Sequence, residues 1–210
     1  MGTMTSTRSG RPPVTTRIEL ERVALGLFTD HGFEATTVDD IATAAGISRR
    51  TFFRYYASKN DVVWGDFDDL LRRMTRWLAD VGEDVALVDA LSAAVVQFNA
   101  VPAEVEGAHR ERMALILRVP ALQAHSTLRY ESWRAVVVAF TARRLGVGEN
   151  TFAPQLVGHL ALGSAVAAYE QWLADERADL GGLLTQAFGL LPDEAALHEA
   201  ALREAGRRTG

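Results

Sequence analysis

The sequence has no cysteine, a single lysine, and no apolar run of membrane-spanning length. Without cysteine there is no disulfide framework, no thiolate metal centre and no cysteine nucleophile. No stretch approaches the roughly 20 apolar residues of a bilayer-spanning helix. The first seventeen residues are polar and rich in Ser, Thr and Arg, without the apolar core of a secretory leader. A soluble, cytoplasmic protein with no membrane contact is the expectation. Strand patterns are also missing, because no alternating stretch is long enough to argue one. Catalytic signatures are absent too: there is no His-Glu-x-x-His, no Gly-x-Ser-x-Gly and no glycine-rich phosphate loop. The five histidines are scattered at 31, 109, 125, 159 and 198. Glu106 and His109 make one Glu-x-x-His, whereas a di-iron bundle needs two such pairs with partner carboxylates. No enzyme, no metal and no cofactor is therefore expected.

What is present suits a helical protein. The 210 residues are 48% hydrophobic and 23% charged, enough apolar material for a core and too little charge for a disordered tail. The length fits one domain, or a small domain joined to a larger one. The net charge of −5 is unevenly laid out. Residues 1–62 hold eight basic and seven acidic side chains, the remainder fourteen and twenty. Residues 41–60 carry three Arg and the only Lys with no acid at all. Such asymmetry hints at a nucleic-acid or membrane contact on the basic side, and scatter explains it equally well.

Periodicity predicts helices nearly everywhere. Thr16 with Glu19 forms a capping-box signature, followed by Leu20, Val23, Leu27 and Phe28 at helical spacing, with Gly32 as the stop. Thr37 with Asp40 starts a second helix carrying Val38, Ile41, Ala42 and Ala45, and Ser48 caps a short third helix reaching about Tyr56. Ser58 with Asp61 opens a fourth, longer helix whose Val62, Val63, Phe67, Leu70, Leu71, Met74 and Trp77 read as one continuous stripe. Further helices are expected over about 84–100, 103–118, 120–145 with a break near His125-Ser126, 154–174 and 180–191. Residues 192–210, the C-terminal tail, read as a weak final helix with a frayed Arg207-Arg208 end. The fold class is all-α. The expected organisation is a basic arm at 1–15, a helix-turn-helix DNA-binding domain at 16–62, a ligand-binding and dimerisation domain at 63–191, and the tail.

Helices two and three are joined by Ala45-Gly46-Ile47, where glycine permits a positive φ and isoleucine pins the turn. That is helix-turn-helix geometry, whose second helix enters the DNA major groove. On helix three, Phe52 and Tyr56 lie four apart and can pack inward, while Arg50 and Arg54 lie four apart on the other side. Arg49 and Thr51 occupy the first turn. Arginine can grip guanine O6 and N7 with two hydrogen bonds, and a threonine methyl can contact thymine. Ser48, Thr37 and Lys59 are phosphate candidates; a cation at Lys59 opposes the helix dipole unless an anion arrives. Thr37 and Ser58 read equally well as plain caps, and Tyr55 and Tyr56 as core. Together, on one short helix after a glycine turn, these residues favour DNA.

The stretch from Gly26 to Lys59, Gly-Leu-Phe-Thr-Asp-His-Gly-Phe-Glu-Ala-Thr-Thr-Val-Asp-Asp-Ile-Ala-Thr-Ala-Ala-Gly-Ile-Ser-Arg-Arg-Thr-Phe-Phe-Arg-Tyr-Tyr-Ala-Ser-Lys, resembles the signature of the TetR family of transcriptional regulators. The resemblance covers the first quarter to third of the chain. It implies an all-helical homodimer with an N-terminal DNA-binding domain and a variable ligand and dimerisation domain. It also implies base-facing roles for Arg49, Arg50, Thr51 and Arg54. Backbone-contacting or adjacent roles fall to Thr37, Phe53, Tyr55 and Lys59. Phe53 departs from the family's frequent tyrosine, which removes one hydroxyl contact to phosphate. The arm residues Arg8, Arg11 and Arg17 can reach the minor groove or the backbone, or be disordered.

The remaining two thirds carry a closer likeness. Trp64-Gly-Asp-Phe-Asp68, the run from Val119 to Arg134, and Gly158-His-Leu-Ala-Leu-Gly through Ala174 resemble the mycofactocin-system regulators, an actinobacterial TetR branch. That branch is associated with long-chain acyl-coenzyme A as effector, and the near absence of lysine fits a GC-rich genome. Phe67, Leu70, Met74, Phe98, Met113, Ile116, Leu117, Leu122, Trp133, Val137 and Phe140 can line a ligand tunnel or equally form an ordinary core. Arg118, His125, Arg129 and Arg134 can hold an anionic head group or pair within the domain. Gly158, Ala161, Leu162, Ala165 and Ala168 give one helix a small-residue side, a candidate dimer face or a plain buried one. The expected function is a ligand-responsive regulator, in the repressor sense, binding a near-palindromic double-stranded DNA operator as a dimer. The alternative is a helical acyl-coenzyme A-binding or adaptor protein that reads no DNA sequence.

Overall fold

A computed structural model describes residues 16–208, with side chains to residue 204; the arm with Arg8 and Arg11 lies outside the described residues. Those residues are all-α, without a strand. In chain order the helices are α1 (Arg17–His31), α2 (Val38–Ala44), α3 (Arg49–Tyr55), α4 (Lys59–Val62), α5 (Phe67–Asp80), α6 (Leu87–Asn99), α7 (Glu106–Arg118), α8 (Pro120–Leu145), α9 (Phe152–Ala174), α10 (Leu180–Phe188) and α11 (Glu194–Arg208). They fall into two compact units, one ending at Gly65 and the other beginning at Asp66.

In the first unit α1 buries Leu20, Ala24, Leu25 and Phe28 along one stripe, against which α2 packs. The Glu19 N–H donates to the Thr16 hydroxyl at 3.2 Å, the predicted start. Phe28 and Phe33 meet with ring centroids 4.9 Å apart, closing the core under the loop that leads to α2. The expected long fourth helix is not one helix. It is a single turn, α4, then a turn at Val63–Asp66 with Gly65 at φ +51°, then α5. Gly65 supplies the left-handed backbone that a side chain disfavours, and the apolar stripe alone does not register it.

The second unit is built on the antiparallel pair α8 and α9. Pro120 stands at the first position of α8, where its missing N–H costs no hydrogen bond. The expected break near His125-Ser126 does not occur: α8 runs straight through, and the Ser126 hydroxyl donates to the Leu122 carbonyl at 2.7 Å. α6 buries Leu87, Ala90, Leu91, Ala94 and Val95, and packs between α5 and α10. It begins three residues later than periodicity suggested. Residues 103–105 form one 3-10 turn ahead of α7.

The small residues Gly158, Ala161, Ala165 and Ala168 are buried within this chain, Gly158 against α8, which favours the plain buried reading of that side over the dimer face. A Cβ at Gly158 would stand 2.6 Å from Val138 Cγ2 and 2.8 Å from Arg134 Cγ, so glycine is what lets the two helix backbones approach. The outward face of α9 instead carries Leu160, Gly163 and Ala167. The final helix expected in the tail is present as α11, and it is docked. Leu197 and Ala201 of α11 are buried, and the Glu194 carboxylate accepts the Leu87 N–H at 3.2 Å, 3.6 Å from Arg144. Glu204 accepts the Phe152 N–H at 2.8 Å, so Glu194 and Glu204 of α11 each accept from the open N-terminus of another helix.

Gly158→Val should destabilise the chain by about 1–3 kcal/mol, because the α8–α9 contact has no room for it. Gly26→Ala, inside α1 with nothing within 4 Å of the added carbon, should be neutral or stabilising by about 0.5–1 kcal/mol. Chemical denaturation checks both, and equal effects would contradict the packing.

Candidate nucleic-acid interface

The geometry starts with the turn between α2 and α3. Gly46 sits at φ +65°, its N–H donates to the Thr43 carbonyl at 3.1 Å, and the Ile47 N–H reaches the Ala42 carbonyl at 2.9 Å. These bonds close α2 and aim the chain into α3. The Ser48 hydroxyl accepts the Thr51 N–H at 3.1 Å and lies 2.9 Å from the Thr51 hydroxyl. Both hydroxyls are therefore engaged with each other at the start of the helix. At α2 the capping box is complete: the Thr37 hydroxyl accepts the Asp40 N–H at 3.2 Å, and Asp40 Oδ2 accepts the Thr37 N–H at 2.8 Å. The Thr37 hydroxyl also donates to Asp40 at 2.7 Å, and these two bonds hold that carboxyl below the usual carboxylate range. A carboxylate thus already sits at the start of α2, where a phosphate was expected.

α3 divides by face. Phe52 is fully buried, and Tyr56, at the end of the helix, is 4% exposed. Tyr56 Oη donates to Glu21 Oε1 at 2.5 Å and accepts from Arg17 Nε at 3.1 Å. Burial, with the Glu21 hydrogen bond, pushes the Tyr56 hydroxyl well above its ordinary pKa. Arg17, expected in the arm, is therefore part of the folded unit. The outer face carries Arg49, Arg50, Phe53 and Arg54, all exposed, with Thr51 and Tyr55 at its margins. Arg49 pairs with Asp39 of α2 at 2.8 Å and lies 5.3 Å from the Phe53 ring centroid. Arg54 lies 5.3 Å from the Tyr55 ring. Arg50 makes no hydrogen bond or ion pair among the described residues. Three guanidinium groups on one short exposed helix can meet base edges and phosphates alike.

Lys59 is placed differently. Its ammonium donates to the carbonyls of Phe33 at 2.7 Å, Thr36 at 2.9 Å and Glu34 at 3.4 Å, and stands 4.4 Å from the Phe33 ring centroid. All three donors are aimed at the loop between α1 and α2. Lysine at this position ties that loop down. Ser58 makes no cap to the backbone; its hydroxyl donates to Asp61 at 2.7 Å.

The effector-contact candidates do not converge on one cavity among the described residues. Ile116, Leu122, Trp133 and Val137 are closed core, each at most 4% exposed. Met113 and Leu117 are half-buried on α7, and Arg118 is exposed. Phe67 meets Phe98 edge-on at 5.8 Å. Leu70 and Phe98 belong to the wall of a cleft of about 430 Å³ between α5 and α6, with Met74, Trp77, Ala94, Arg73, Arg76, Asp80 and Gln97. Arg73 and Arg76 were not singled out, because a helical arginine run reads as solvated surface. Arg129 pairs with Asp68 at 2.8 Å and Arg134 with His159 at 3.1 Å, so both have partners inside the unit. The sequence also concealed an interior polar cluster. Tyr169 Oη donates to Asn99 Oδ1 at 2.7 Å and lies 2.9 Å from His109 Nε2. Burial, reinforced by Arg112, pushes His109 down to about 4.

Two family descriptions match the chain: "Bacterial regulatory proteins, tetR family" over residues 22–63, and "MftR C-terminal domain" over residues 85–196. Among curated relatives, a candidate mycofactocin biosynthesis transcriptional regulator, MftR, of Mycobacterium tuberculosis H37Rv is 46% identical over 184 residues. That alignment covers 88% of this chain and 93% of the relative. Among solved structures, Thermus thermophilus FadR in complex with lauroyl-CoA aligns with a TM-score of 0.54 at 24% identity, covering 85% of this chain and 97% of that one. Bacillus subtilis FadR in complex with stearoyl-CoA aligns with a TM-score of 0.59 at 15% identity, covering 83% and 97%. At these identities the two structures support the fold alone.

Lys59→Ala should lower stability by about 1 kcal/mol, leaving part-buried carbonyls of the α1–α2 loop without their donor. The salt slope of any DNA binding should stay unchanged, since the ammonium is engaged with the loop. A slope flatter by about one unit with unchanged stability would return Lys59 to the phosphate set. For His109 the sign is set by a folded pKa below the unfolded value of about 6.5. Above that pH its contribution is flat. As pH falls from 6.5 towards 4, the unfolded chain takes up a proton that the folded chain refuses, and stability drops by on the order of 2 kcal/mol. His109→Gln should show a shallower loss over that window in denaturant titrations; parallel curves would contradict the neutral buried imidazole.

Proposed function

Because the chain belongs to the TetR family of bacterial regulatory proteins, and within it to the branch with an MftR-type C-terminal domain, we propose that this transcriptional regulator acts as an effector-released repressor. It binds a near-palindromic operator as a homodimer. The observation that carries the DNA reading is the exposed outer face of α3, with Arg50 and Arg54 projecting from a helix held by a capped start, a glycine turn and a buried Phe52. Two such helices about 34–36 Å apart meet successive major grooves. Arg50 and Arg54 read base edges together with Arg49 and Thr51, while phosphate attraction supplies affinity and a steep salt dependence. The second copy docks on the outward side of α9, where Leu160 is exposed beside Gly163 and Ala167, and on α10 near the exposed Leu190.

The effector is a long-chain acyl-coenzyme A, and the governed genes are mycofactocin-related. Support comes from the MftR relative and from the FadR neighbours named with lauroyl-CoA and stearoyl-CoA. Release requires that the effector bind the DNA-incompetent conformation more tightly by a few kcal/mol; equal affinity for both states shifts nothing.

The test is fluorescence anisotropy with labelled duplexes recovered by random-sequence selection, at two salt concentrations, with and without stearoyl-CoA. Specific, salt-sensitive binding abolished by the thioester is the expected outcome. Binding indifferent to it removes the acyl-coenzyme A assignment, and failure to select any duplex favours the adaptor alternative. Arg50→Ala should cost roughly 1–3 kcal/mol of discrimination between operator variants. An unchanged preference would take Arg50 out of the base-reading set.

A further inference from the structure

The interruption between α4 and α5 stands against the sequence around it. Val63, Phe67, Leu70, Met74 and Trp77 keep helical spacing straight through it, so periodicity calls for one helix from Lys59 to Asp80. In that helix the Gly65 carbonyl would accept the Asp69 N–H. In the structure the Asp69 N–H goes to the Asp66 carbonyl at 2.9 Å, as does the Leu70 N–H at 3.0 Å. The Gly65 carbonyl accepts Arg17 Nη2 instead, at 2.8 Å. A guanidinium from the first residue of α1 has thus replaced a helical amide on one buried carbonyl.

The same guanidinium touches the end of α3. Arg17 Nε donates to Tyr56 Oη at 3.1 Å, and its carbon lies 5.0 Å from the centre of the Tyr56 ring. Tyr56 in turn donates to the buried Glu21, and its N–H closes α3 on the Phe52 carbonyl at 3.0 Å. We propose that Arg17 is a positioning residue which keeps the α4–α5 helix interrupted by competing with the Asp69 N–H for the Gly65 carbonyl, and that Tyr56 passes the state of this junction to α3. The second half rests on the DNA-binding reading; the first does not. Two states follow, distinguished by which donor holds one carbonyl. In the latched state Arg17 fixes the end of α3 and the helix stays interrupted at Gly65. In the released state the junction becomes helical, and Tyr56 loses the cation that orients its ring.

Hydrogen exchange on the full-length protein separates the states. Asp68 stands in the first turn of α5, where the helical ladder offers its amide no carbonyl. In a continuous helix it bonds to the Trp64 carbonyl. Arg17→Met, which removes the competing donor, and Gly65→Ala, which disfavours the left-handed turn, should each slow exchange at this amide by about tenfold or more. Helix content by circular dichroism should rise slightly, with a cooperative melt retained. Arg17→Leu, which also lacks a donor, serves if the methionine variant folds poorly. Wild-type exchange at the Asp68 amide in folded variants would overturn the role of Arg17. Tyr56→Phe should leave that exchange unchanged and weaken binding to a selected duplex about tenfold across operator variants. Wild-type affinity in Tyr56→Phe would overturn the relay. A wild-type chain that selects no duplex also removes the relay to α3, whereas the exchange result still decides Arg17.

Discussion

α3 is only seven residues long, and a helix of that length does not hold itself in water. Every structural feature of the first unit follows from that constraint. Phe52 and Tyr56 anchor the inner face, Ser48 closes the start, and the Gly46 turn sets the entry angle against α2. Lys59 ties down the loop preceding α2, and so fixes the base on which α3 stands. Arg17 and Glu21 grip the far end through one phenolic hydroxyl. The outer face makes few packing contacts within the unit, which leaves Arg50 and Arg54 available to a partner.

This explains why the first unit was legible from sequence. Its signals are local: a cap three residues before an acid, a glycine at the one turn needing positive φ, and aromatics four apart opposite arginines four apart. Each acts over a single helical turn. The phosphate candidacy of Lys59 rested on the same kind of local signal. A cation next to a helix start points to an anion as long as only neighbours in sequence are considered. Its partners are carbonyls 23 to 26 residues away. The interruption at Gly65 was hidden likewise, since the acceptor captured by Arg17 lies 48 residues along the chain.

The second unit was legible as helices and not as a site. Periodicity finds an apolar side but cannot say what covers it. Small residues on α9 suit either a second copy or α8, and the 2.6 Å clearance at Gly158 decides for α8. Ile116, Leu122, Trp133 and Val137 suited tunnel or core alike, and zero-to-4% exposure places them in the core. The Asn99–Tyr169–His109 cluster gave no sequence signal, because its members come from α6, α9 and α7 and stand ten or more residues apart. Buried polar groups joined this way fix how helices register, since a slip would leave a hydroxyl and an imidazole without partners.

Charge on the outer face of α3 also ranks the arginines. Arg49 already holds a carboxylate, Asp39, so moving it to DNA exchanges one anion for another and gives back the pair it breaks. An exposed pair of that kind is worth little in water, yet Asp39 remains close by, and a phosphate approaching Arg49 meets a like charge. Arg50 carries no such opposition, and Arg54 only an aromatic neighbour. Asp39 of α2 therefore disfavours a polyanion beside Arg49. On the proposed reading, DNA then approaches the side where Arg50 and Arg54 stand four residues apart. In a chain whose net charge is −5, that reading makes the local arrangement of a few cations and the carboxylates beside them, more than any overall attraction, decide how DNA is met.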